Sequence, residues 1–496
     1  MTPLRFLALL VTLISACLSQ ELSEPPAVSA RTFQTKYSIW AKKGLAKEDA
    51  DGFYNTLVGM VGDKDKIESI FDENNIPYAW RAALTAAQID KVDADRVVDR
   101  VDVDKRLTLA KPGSAATADI KKRAVTKQVP TKGNTNVDLR TLSTPPGDPL
   151  AKSYGYDDTA GKGITIYLID TGPFGSAHSE LQPPDSSVTR ENINVMNHPY
   201  VFDETSNHGT CVASKAVGKT VGVAKRANLI TVRVDVTPGE YDIIRIWQTV
   251  YNDIKRKGLR GKAVVSVSTE GYPTTDAEVN KRILLKMIEL TDSIMLGMDV
   301  PIICSAGNRA ARIGGSMEPD SLPAVLAKNK TLPIIVVGAA TTDGTMLRFS
   351  QRGGLLTTWA VAEDVECADF NALDGILYAT GTSVAAPQIA GLAAYFMSNP
   401  NFKDKLRPGS IAKDMRALIG SYSYPRGSTD DHPNIAWNGF DPKSSLPAQP
   451  PGTRTATADP QCNVCGQLNK KVMRYEAGCP GVEYARWFCK VYSDCQ

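Results

Sequence analysis

The sequence predicts an α/β protein whose main domain is a mostly parallel, doubly wound sheet, with a small α+β domain before it and a Cys-rich module after it. Between about residues 163 and 420, short apolar runs rich in Val and Ile alternate with helical stretches. Strands of parallel sheets are covered on both faces and are apolar throughout, as these runs are. Residues 20–110 show strand and helix patterns without Cys, whereas five of the nine Cys fall in residues 461–496.

The N-terminus, residues 1–19, is predicted to be a secretory signal peptide. An apolar run from Phe6 to Leu18 follows the basic Arg5 and is shorter than the ~20 residues needed to cross a bilayer. A buried N-terminal helix is the alternative, and the residues around Cys17 also resemble a bacterial lipoprotein signal. We expect a secreted, extracellular product with no membrane span.

Residues 20–110 are predicted to form the small α+β domain. Its strand and helix patterns alternate along the chain, at Lys36–Ala41, Glu48–Val61, Ile76–Leu84 and Thr85–Val97. Residues 111–149 are polar and rich in Pro, Gly, Ser and Thr, which is typical of a linker or processing region that continues into a mature N-terminal arm. The basic Lys121-Lys122-Arg123 within it is either a processing site or a solvated charge cluster.

Residues 150–440 are predicted to form the main domain. Its strand candidates are Ile164–Ile169, Ala227–Val234, Ala263–Ser268, Val300–Cys304 and Leu332–Ala339. Helical stretches such as Tyr241–Arg256 and Ala277–Leu296 separate them. In such sheets, reactive groups gather at the carboxyl ends of the strands. A Pro-rich linker over residues 441–460 then leads to the Cys-rich module of residues 461–496.

The composition excludes several classes of function. The chain has 496 residues, with 57 Lys and Arg against 54 Asp and Glu, for a net charge of +3. So small a charge gives no electrostatic footprint for nucleic acid. Hydrophobic residues make up 42% of the chain, which is too many for a disordered protein. We therefore expect a globular protein that binds no nucleic acid.

Cysteine usage supports export to an oxidising compartment. Once Cys17 leaves with the signal, eight Cys remain, at positions 211, 304, 367, 462, 465, 479, 489 and 495. The last five predict a disulfide-stapled module, with zinc binding by Cys462 and Cys465 as the alternative. Three Cys precede the tail and five lie in it. Because both numbers are odd, either one bridge joins tail and body or each part keeps a free thiol.

Three motifs lie where predicted strands end or helices begin. Asp170 ends a buried strand, His208 begins a helix, and Ser383 follows a Gly-Thr pair at the start of an apolar helix. Peptide hydrolysis needs a nucleophile, a base of near-neutral pKa and an acid that orients the base, and these residues supply those types. The N-terminus of a helix also stabilises a developing oxyanion, and the amide of Asn308 offers a further donor.

The order Asp, His, Ser with these motifs resembles the subtilisin-like serine proteases, especially the secreted, proteinase K-like enzymes of fungi. The resemblance extends from about Ser153 to about Gly420. It implies that Asp170 is the orienting acid, His208 the general base and acid, Ser383 the nucleophile and Asn308 the side-chain oxyanion donor. Residues 34–104 resemble the family's inhibitory propeptide. Calcium is common in the family, but no ligands for it are identified here, and no cofactor is expected to be required.

The resemblance also places two segments along the first specificity pocket, Ser268-Thr269-Glu270-Gly271 on one side and Ser305-Ala306-Gly307 on the other. Glu270 stands where the family typically has Gly. An acid in the pocket would favour a basic substrate residue, and an outward, solvated Glu270 is the alternative.

Two further departures from the family pattern lie beside His208. Asn207 stands where the family usually has Gly, and Cys211 follows His208 by three residues, so that both share a helix face. Cys211 is either a buried, inert thiol or the mark of a thiol-sensitive active site. After Ser383, the residues Val384-Ala385-Ala386-Pro387-Gln388 replace the common Met-Ala-Thr-Pro-His.

We therefore predict a monomeric, secreted serine endopeptidase that is made as a zymogen, cleaves proteins or peptides through an acyl-enzyme and has its own propeptide as partner. The alternative is a catalytically weak or inactive subtilase-fold binding protein with a Cys-rich adhesion module. The tail is otherwise a cap on the catalytic body. Asn329-Lys330-Thr331 is an acceptor sequon and predicts a glycoprotein, with an unmodified surface loop as the alternative.

Overall fold

A computed structural model of the chain describes residues 34–104, 136–172, 174–195, 207–234, 238–271, 277–312 and 314–441. The described residues form two compact units, a small one within residues 34–103 and a large one that contains residues 136–441. The predicted signal peptide, most of both linkers and the Cys-rich module lie outside the described residues. No helix in the described ranges is long and apolar enough to cross a membrane.

The small unit is a four-stranded antiparallel sheet with two helices. Its elements are β1 (Thr35–Ala41), α1 (Lys47–Val61), β2 (Glu68–Phe71), β3 (Pro77–Leu84), α2 (Ala86–Asp93) and β4 (Val98–Val103), and the strand order is β2-β3-β1-β4. Phe53 and Leu57 of α1 pack with Ile39 and Trp80 of the sheet in a core of this unit's own. Thr85 begins α2 with a capping box, in which its hydroxyl accepts from the Gln88 N–H.

A nine-stranded, mostly parallel sheet forms the centre of the large unit, in the order β14-β15-β11-β10-β9-β8-β5-β7-β6. Its strands are β5 (Thr165–Asp170), β6 (Arg190–Asn194), β7 (Asn228–Arg233), β8 (Ala263–Val267), β9 (Ile302–Ser305), β10 (Ile335–Ala340), β11 (Thr358–Val361), β14 (Ser423–Pro425) and β15 (Asn434–Ala436). Every residue of β5, β8, β9 and β10 is buried. A separate antiparallel pair is formed by β12 (Val365–Ala368) and β13 (Ile376–Ala379).

The large unit also contains α-helices that pack against this sheet and against one another. They are α3 (Val137–Leu142), α4 (His208–Val217), α5 (Glu240–Arg256), α6 (Ala277–Asp292), α7 (Thr382–Ser398) and α8 (Ile411–Ser421). The apolar α7 contacts β8, β9 and β10, and α4 packs against α7. Because α4 and α7 begin at His208 and Thr382, their packing brings the predicted base and nucleophile segments to one region of the sheet.

The predicted fold class is confirmed for the α/β sheet and for the small α+β unit, and the five predicted sheet strands are all present within one to three residues. Eight strands were not predicted from the sequence: β2, β4, β6, β11, β12, β13, β14 and β15. These strands are short or partly exposed, so their apolar runs are too brief to distinguish them from loops.

Candidate active site

Asp170 and His208 form a close pair at the carboxyl end of β5. Asp170 is the last residue of that central strand and is fully buried, and His208 is the first residue of α4. His208 Nδ1 lies 2.6 Å from Asp170 Oδ1. This bond makes Nδ1 the proton-bearing nitrogen, so the neutral ring presents Nε2 as an acceptor.

Opposing effects set the pKa of His208. Burial lowers the pKa of His208, whereas the charge of Asp170, the hydrogen bond that His208 donates to Asp170 and the charge of Glu270 raise it, and the net result lies above the usual histidine value. The imidazolium form is therefore stabilised by a buried carboxylate, which is what a base that must accept a proton requires. Nε2 is buried and has no hydrogen-bond partner in the described part of the chain.

Ser383 and Asn308 converge over Gly381. A Cβ placed on Gly381 would lie 3.4 Å from Ser383 Oγ and 3.5 Å from Asn308 Nδ2. The φ of Gly381 is 151°, which side-chain-bearing residues rarely adopt. The Ser383 hydroxyl and the Asn308 amide therefore border one space over Gly381. A Cβ there would make only ordinary van der Waals contacts, so it is the φ angle that favours glycine.

Thr382 fixes the orientation of the Asn308 amide. The Thr382 N–H donates to Asn308 Oδ1 at 2.9 Å, and Thr382 Oγ1 donates to the same oxygen at 3.0 Å. Because both partners donate, the oxygen of the amide must face them, and Nδ2 is left as the donor of this amide. Nδ2 and Oδ1 lie 3.5 and 3.6 Å from the point where a Cβ on Gly381 would lie. The Thr382 hydroxyl also accepts from the Gly307 N–H at 3.2 Å. Thr382 is the Thr of the Gly-Thr pair before Ser383, and the sequence suggested no role for it.

The two predicted pocket segments follow β8 and β9. Ser268, Thr269, Glu270 and Gly271 come after β8, and Gly271 pairs with Leu322 by two backbone hydrogen bonds. Ser305 ends β9, and Ala306 and Gly307 follow it; all three are buried. Neighbouring parallel strands β8 and β9 thus bring both segments to the same end of the sheet.

Glu270 is buried, with 9% of its surface exposed, so the outward, solvated alternative is wrong. Its Oε1 accepts from the Asn308 N–H at 3.1 Å. The same Oε1 lies 3.2 Å from the point where a Cβ on Gly307 would lie, and Gln351 Oε1 lies 1.8 Å from that point. Gln351 Oε1 is buried without a hydrogen-bond partner among the described residues. Two acceptor oxygens therefore lie next to Gly307. No sequence motif pointed to Gln351.

Both thiol alternatives for Cys211 are wrong, because Cys211 forms a disulfide with Cys367 of β12. Cys304 of β9 is a buried free thiol, and burial raises its pKa well above the usual cysteine value. Spacing along the sequence could not reveal the bridge, since 156 residues separate its two ends. The described residues hold no group of three or more His, Cys, Asp or Glu that could bind a metal ion, and we assign no calcium site.

The fold and these contacts define a doubly wound α/β protein that has a buried Asp–His pair and, over Gly381, a Ser hydroxyl and an amide group. Residues 161–425 match the model of the subtilase family, and the chain belongs to that family. It is 31% identical over 291 residues to "Subtilisin-like protease 2" of Pseudogymnoascus destructans, covering 58% of this chain and 64% of that protein. It is 29% identical over 300 residues to a protein of the same name from Trichophyton verrucosum, covering 59% and 63%.

The chain therefore matches less than two thirds of the length of these relatives. Among solved structures, a cold-adapted subtilisin-like serine proteinase aligns with 21% identity and a TM-score of 0.47, covering 62% of this chain and all of that one.

Proposed function

We propose that this protein is a serine endopeptidase. The observation that carries the proposal is the buried Asp170–His208 pair, at 2.6 Å, in a chain of the subtilase family. Ser383 and Asn308, which border one space over Gly381, supply the nucleophile and the oxyanion donor. The roles of these four residues follow from their chemistry and positions.

Acylation begins when Ser383 Oγ attacks the carbonyl carbon of the scissile bond and His208 Nε2 takes the hydroxyl proton. Asp170 holds the ring and stabilises the imidazolium that forms. The Asn308 amide and the Ser383 N–H donate to the oxyanion. His208 then returns the proton to the leaving amine, and an acyl-enzyme remains on Ser383. Water, deprotonated by His208, attacks this ester, and His208 returns the proton to Ser383 Oγ as the acid product leaves, which regenerates the enzyme.

A covalent probe tests this proposal. A radiolabelled fluorophosphonate reacts only with an activated serine, so it should label the wild-type protein at Ser383 and leave Ser383→Ala unlabelled. His208→Ala, which keeps the serine but removes its base, should be labelled far more slowly. If the wild-type protein is folded and remains unlabelled, the alternative of an inactive subtilase-fold binding protein stands instead.

The primary specificity follows from the acceptor oxygens at Gly307. We propose that the Glu270 carboxylate, with Gln351 Oε1 beside it, favours a basic residue on the acyl side of the scissile bond. A guanidinium or ammonium group donates hydrogen bonds that an apolar residue cannot. Glu270 accepts the Asn308 N–H through Oε1, so its charge also lies close to the oxyanion donor.

Matched peptides that differ only in Phe, Leu or Arg at this position measure the preference. We expect cleavage after Arg to exceed cleavage after Leu, and Glu270→Gln to reduce that ratio by about tenfold, the effect of one charge-assisted hydrogen bond. Glu289→Gln, which removes a carboxylate from the exposed face of α6, is the control for net charge. An unchanged Arg to Leu ratio in Glu270→Gln would remove Glu270 from the specificity pocket.

We further propose that the protein is secreted as a zymogen, with residues 20–110 as its inhibitory propeptide. A separate core in the small unit supports this, because an inhibitor that is cut away must fold apart from the enzyme. We also propose that Asn329 of the sequon is glycosylated. Asn329 is partly exposed, and its Oδ1 accepts from the N–H and hydroxyl of Thr331. Loss of mass on treatment with an N-glycosidase measures it.

A further inference from the structure

One face of α4 is fastened to the strand β12 and the residues just after it. The Cys211–Cys367 disulfide is the covalent part of this contact. On either side of it, the Ala368 N–H donates to Ser214 Oγ at 2.9 Å and Lys215 Nζ donates to the Glu366 carbonyl at 3.0 Å.

The residue before His208 contacts the same segment. Asn207 Oδ1 accepts from the Phe370 N–H at 3.0 Å. The positions 207, 211, 214 and 215 recur at helical spacing and so form one face of α4, and His208 lies at its first turn. Asn207 and Cys211 are the two residues around His208 that depart from the family pattern. Both departures thus contact one segment, which consists of β12 and the residues just after it, and we call this set of contacts the β12 clasp.

The β12 clasp is also connected, through β13, to the residues that precede Ser383. β12 pairs with β13, with Val365 opposite Ala379, and β13 ends four residues before Ser383. Two more bonds close the base of this hairpin: the Asp364 N–H donates to Thr380 Oγ1 at 2.8 Å, and the Gly381 N–H donates to the Ala362 carbonyl at 3.0 Å. The β12–β13 pair is therefore bonded at one end to α4, which begins at His208. At its other end it is bonded to Thr380 and Gly381, which directly precede the segment of Ser383.

We propose that the Cys211–Cys367 disulfide is a positioning element that sets His208 relative to Ser383 and Asp170. The inference rests on the proposed function of those three residues. Proton transfer from a serine to an imidazole requires alignment within a few tenths of an ångström, and small misplacements reduce turnover more than they reduce substrate binding. Cys211 and Cys367 themselves touch no reacting atom.

Removing the disulfide tests the proposal. We expect Cys211→Ala, Cys367→Ala and the double variant each to lose between tenfold and a hundredfold in kcat, with KM within twofold of wild type. The double variant should lose no more than either single variant, because all three remove the same bond. The apparent pKa on the acid side of the kcat/KM profile should also fall, since a displaced His208 loses part of its stabilisation by Asp170.

A control separates positioning from general stability. Leu418→Ala removes a buried side chain from α8, which packs on β14 and β15 rather than on the β12 clasp. All variants are compared below their own unfolding temperatures, with active-site concentrations from fluorophosphonate labelling. Leu418→Ala should lower the unfolding temperature and leave kcat and the pH profile unchanged.

The outcomes are distinguishable. If wild-type kcat and pH profile persist in the double Cys variant, or if Leu418→Ala shows the same loss of kcat, the disulfide has only a structural role and the inference fails. If the wild-type protein itself does not react with the fluorophosphonate, the proposed function fails, whatever the disulfide does.

Discussion

At the scale of single residues, the site depends on hydrogen bonds that choose one orientation for a group that could adopt two. Asp170 fixes which nitrogen of His208 carries the proton, and Thr382 fixes which atom of the Asn308 amide is the acceptor and which is left as a donor. In both cases the orienting residue is buried. The second nitrogen of the His208 ring and the nitrogen of the Asn308 amide are the atoms to which we assign a role in the reaction. Loss of an orienting residue should therefore reduce turnover while leaving substrate contacts in place.

Replacing Asp170 by Asn tests the first of these bonds. The amide keeps the shape but removes the charge that stabilises the imidazolium, so we expect kcat to fall by about 10⁴-fold, the loss known for this substitution in serine proteases. Because Asp170 raises the pKa of His208 in the native protein, the acid side of the kcat/KM profile should move to lower pH in Asp170→Asn. A profile that did not move would mean that another group controls the base.

Replacing Thr382 by Val tests the second. Val keeps the branched shape but lacks the hydroxyl that bonds Asn308 Oδ1 and the Gly307 N–H. Losing the hydrogen bond that orients the Asn308 amide should cost about 1–1.5 kcal/mol of transition-state stabilisation. This corresponds to a fall in kcat of about tenfold, with little change in KM. Thr382→Ser retains the hydroxyl and should stay within about twofold of wild type. Equal losses in the two variants would show that the methyl group, not the hydrogen bond, matters.

At the scale of elements, α4 is held from two sides. β12 and the residues just after it contact one face of α4. From the other side, α3 contributes Asp138, whose Oδ2 lies 2.5 Å from Lys215 Nζ with both side chains fully buried. Neither Asp138 oxygen makes a hydrogen bond of good geometry in the described residues, so the pair is a close charge contact rather than a well-aligned bond. Lys215 also donates to the Glu366 carbonyl. The helix of the base is thereby joined to α3, which lies in the predicted mature N-terminal arm within residues 111–149.

Asp138→Asn should be strongly destabilising, because it leaves the buried Lys215 charge without a counter-charge, with only the Glu366 carbonyl as a neutral acceptor. We expect a loss of about 3–5 kcal/mol in the free energy of unfolding, measured by urea titration in a Ser383→Ala background that prevents autolysis. Asp138→Leu combined with Lys215→Met replaces both charges by apolar groups and should recover most of that loss. A double variant as unstable as Asp138→Asn would mean that the charges themselves stabilise α4.

At the scale of the whole molecule, each unit has its own core, and the residues between them, 105–135, include the basic Lys121-Lys122-Arg123. Such an arrangement permits one unit to be cut from the other without unfolding either. The proposed zymogen therefore makes a prediction about the size of the product. Wild-type protein should lose roughly its first 110–135 residues, as judged by N-terminal sequencing and mass.

The variant Ser383→Ala distinguishes self-cleavage from processing by other proteases. In a host that exports the chain, Ser383→Ala should keep the small unit attached, whereas wild type releases it, because the proposed nucleophile performs the cut. Adding a trace of active wild-type protein shows whether the cut also occurs between molecules. Complete processing of Ser383→Ala alone would assign the cut to another protease.

Local sequence patterns were enough to predict the sheet, because apolar runs of Val and Ile between amphipathic helices have few other ways to bury their surfaces. The sequence also determined the chemical types at the site, since Asp170, His208 and Ser383 each lie in a motif at the end of a regular element. Tertiary structure alone decided which groups meet. The Cys211–Cys367 bond, the Asp138–Lys215 pair and the contact of Glu270 and Gln351 at Gly307 join residues 37 to 156 positions apart. No local pattern encodes these contacts, because each partner's position is set by the packing of elements and not by its neighbours in the chain.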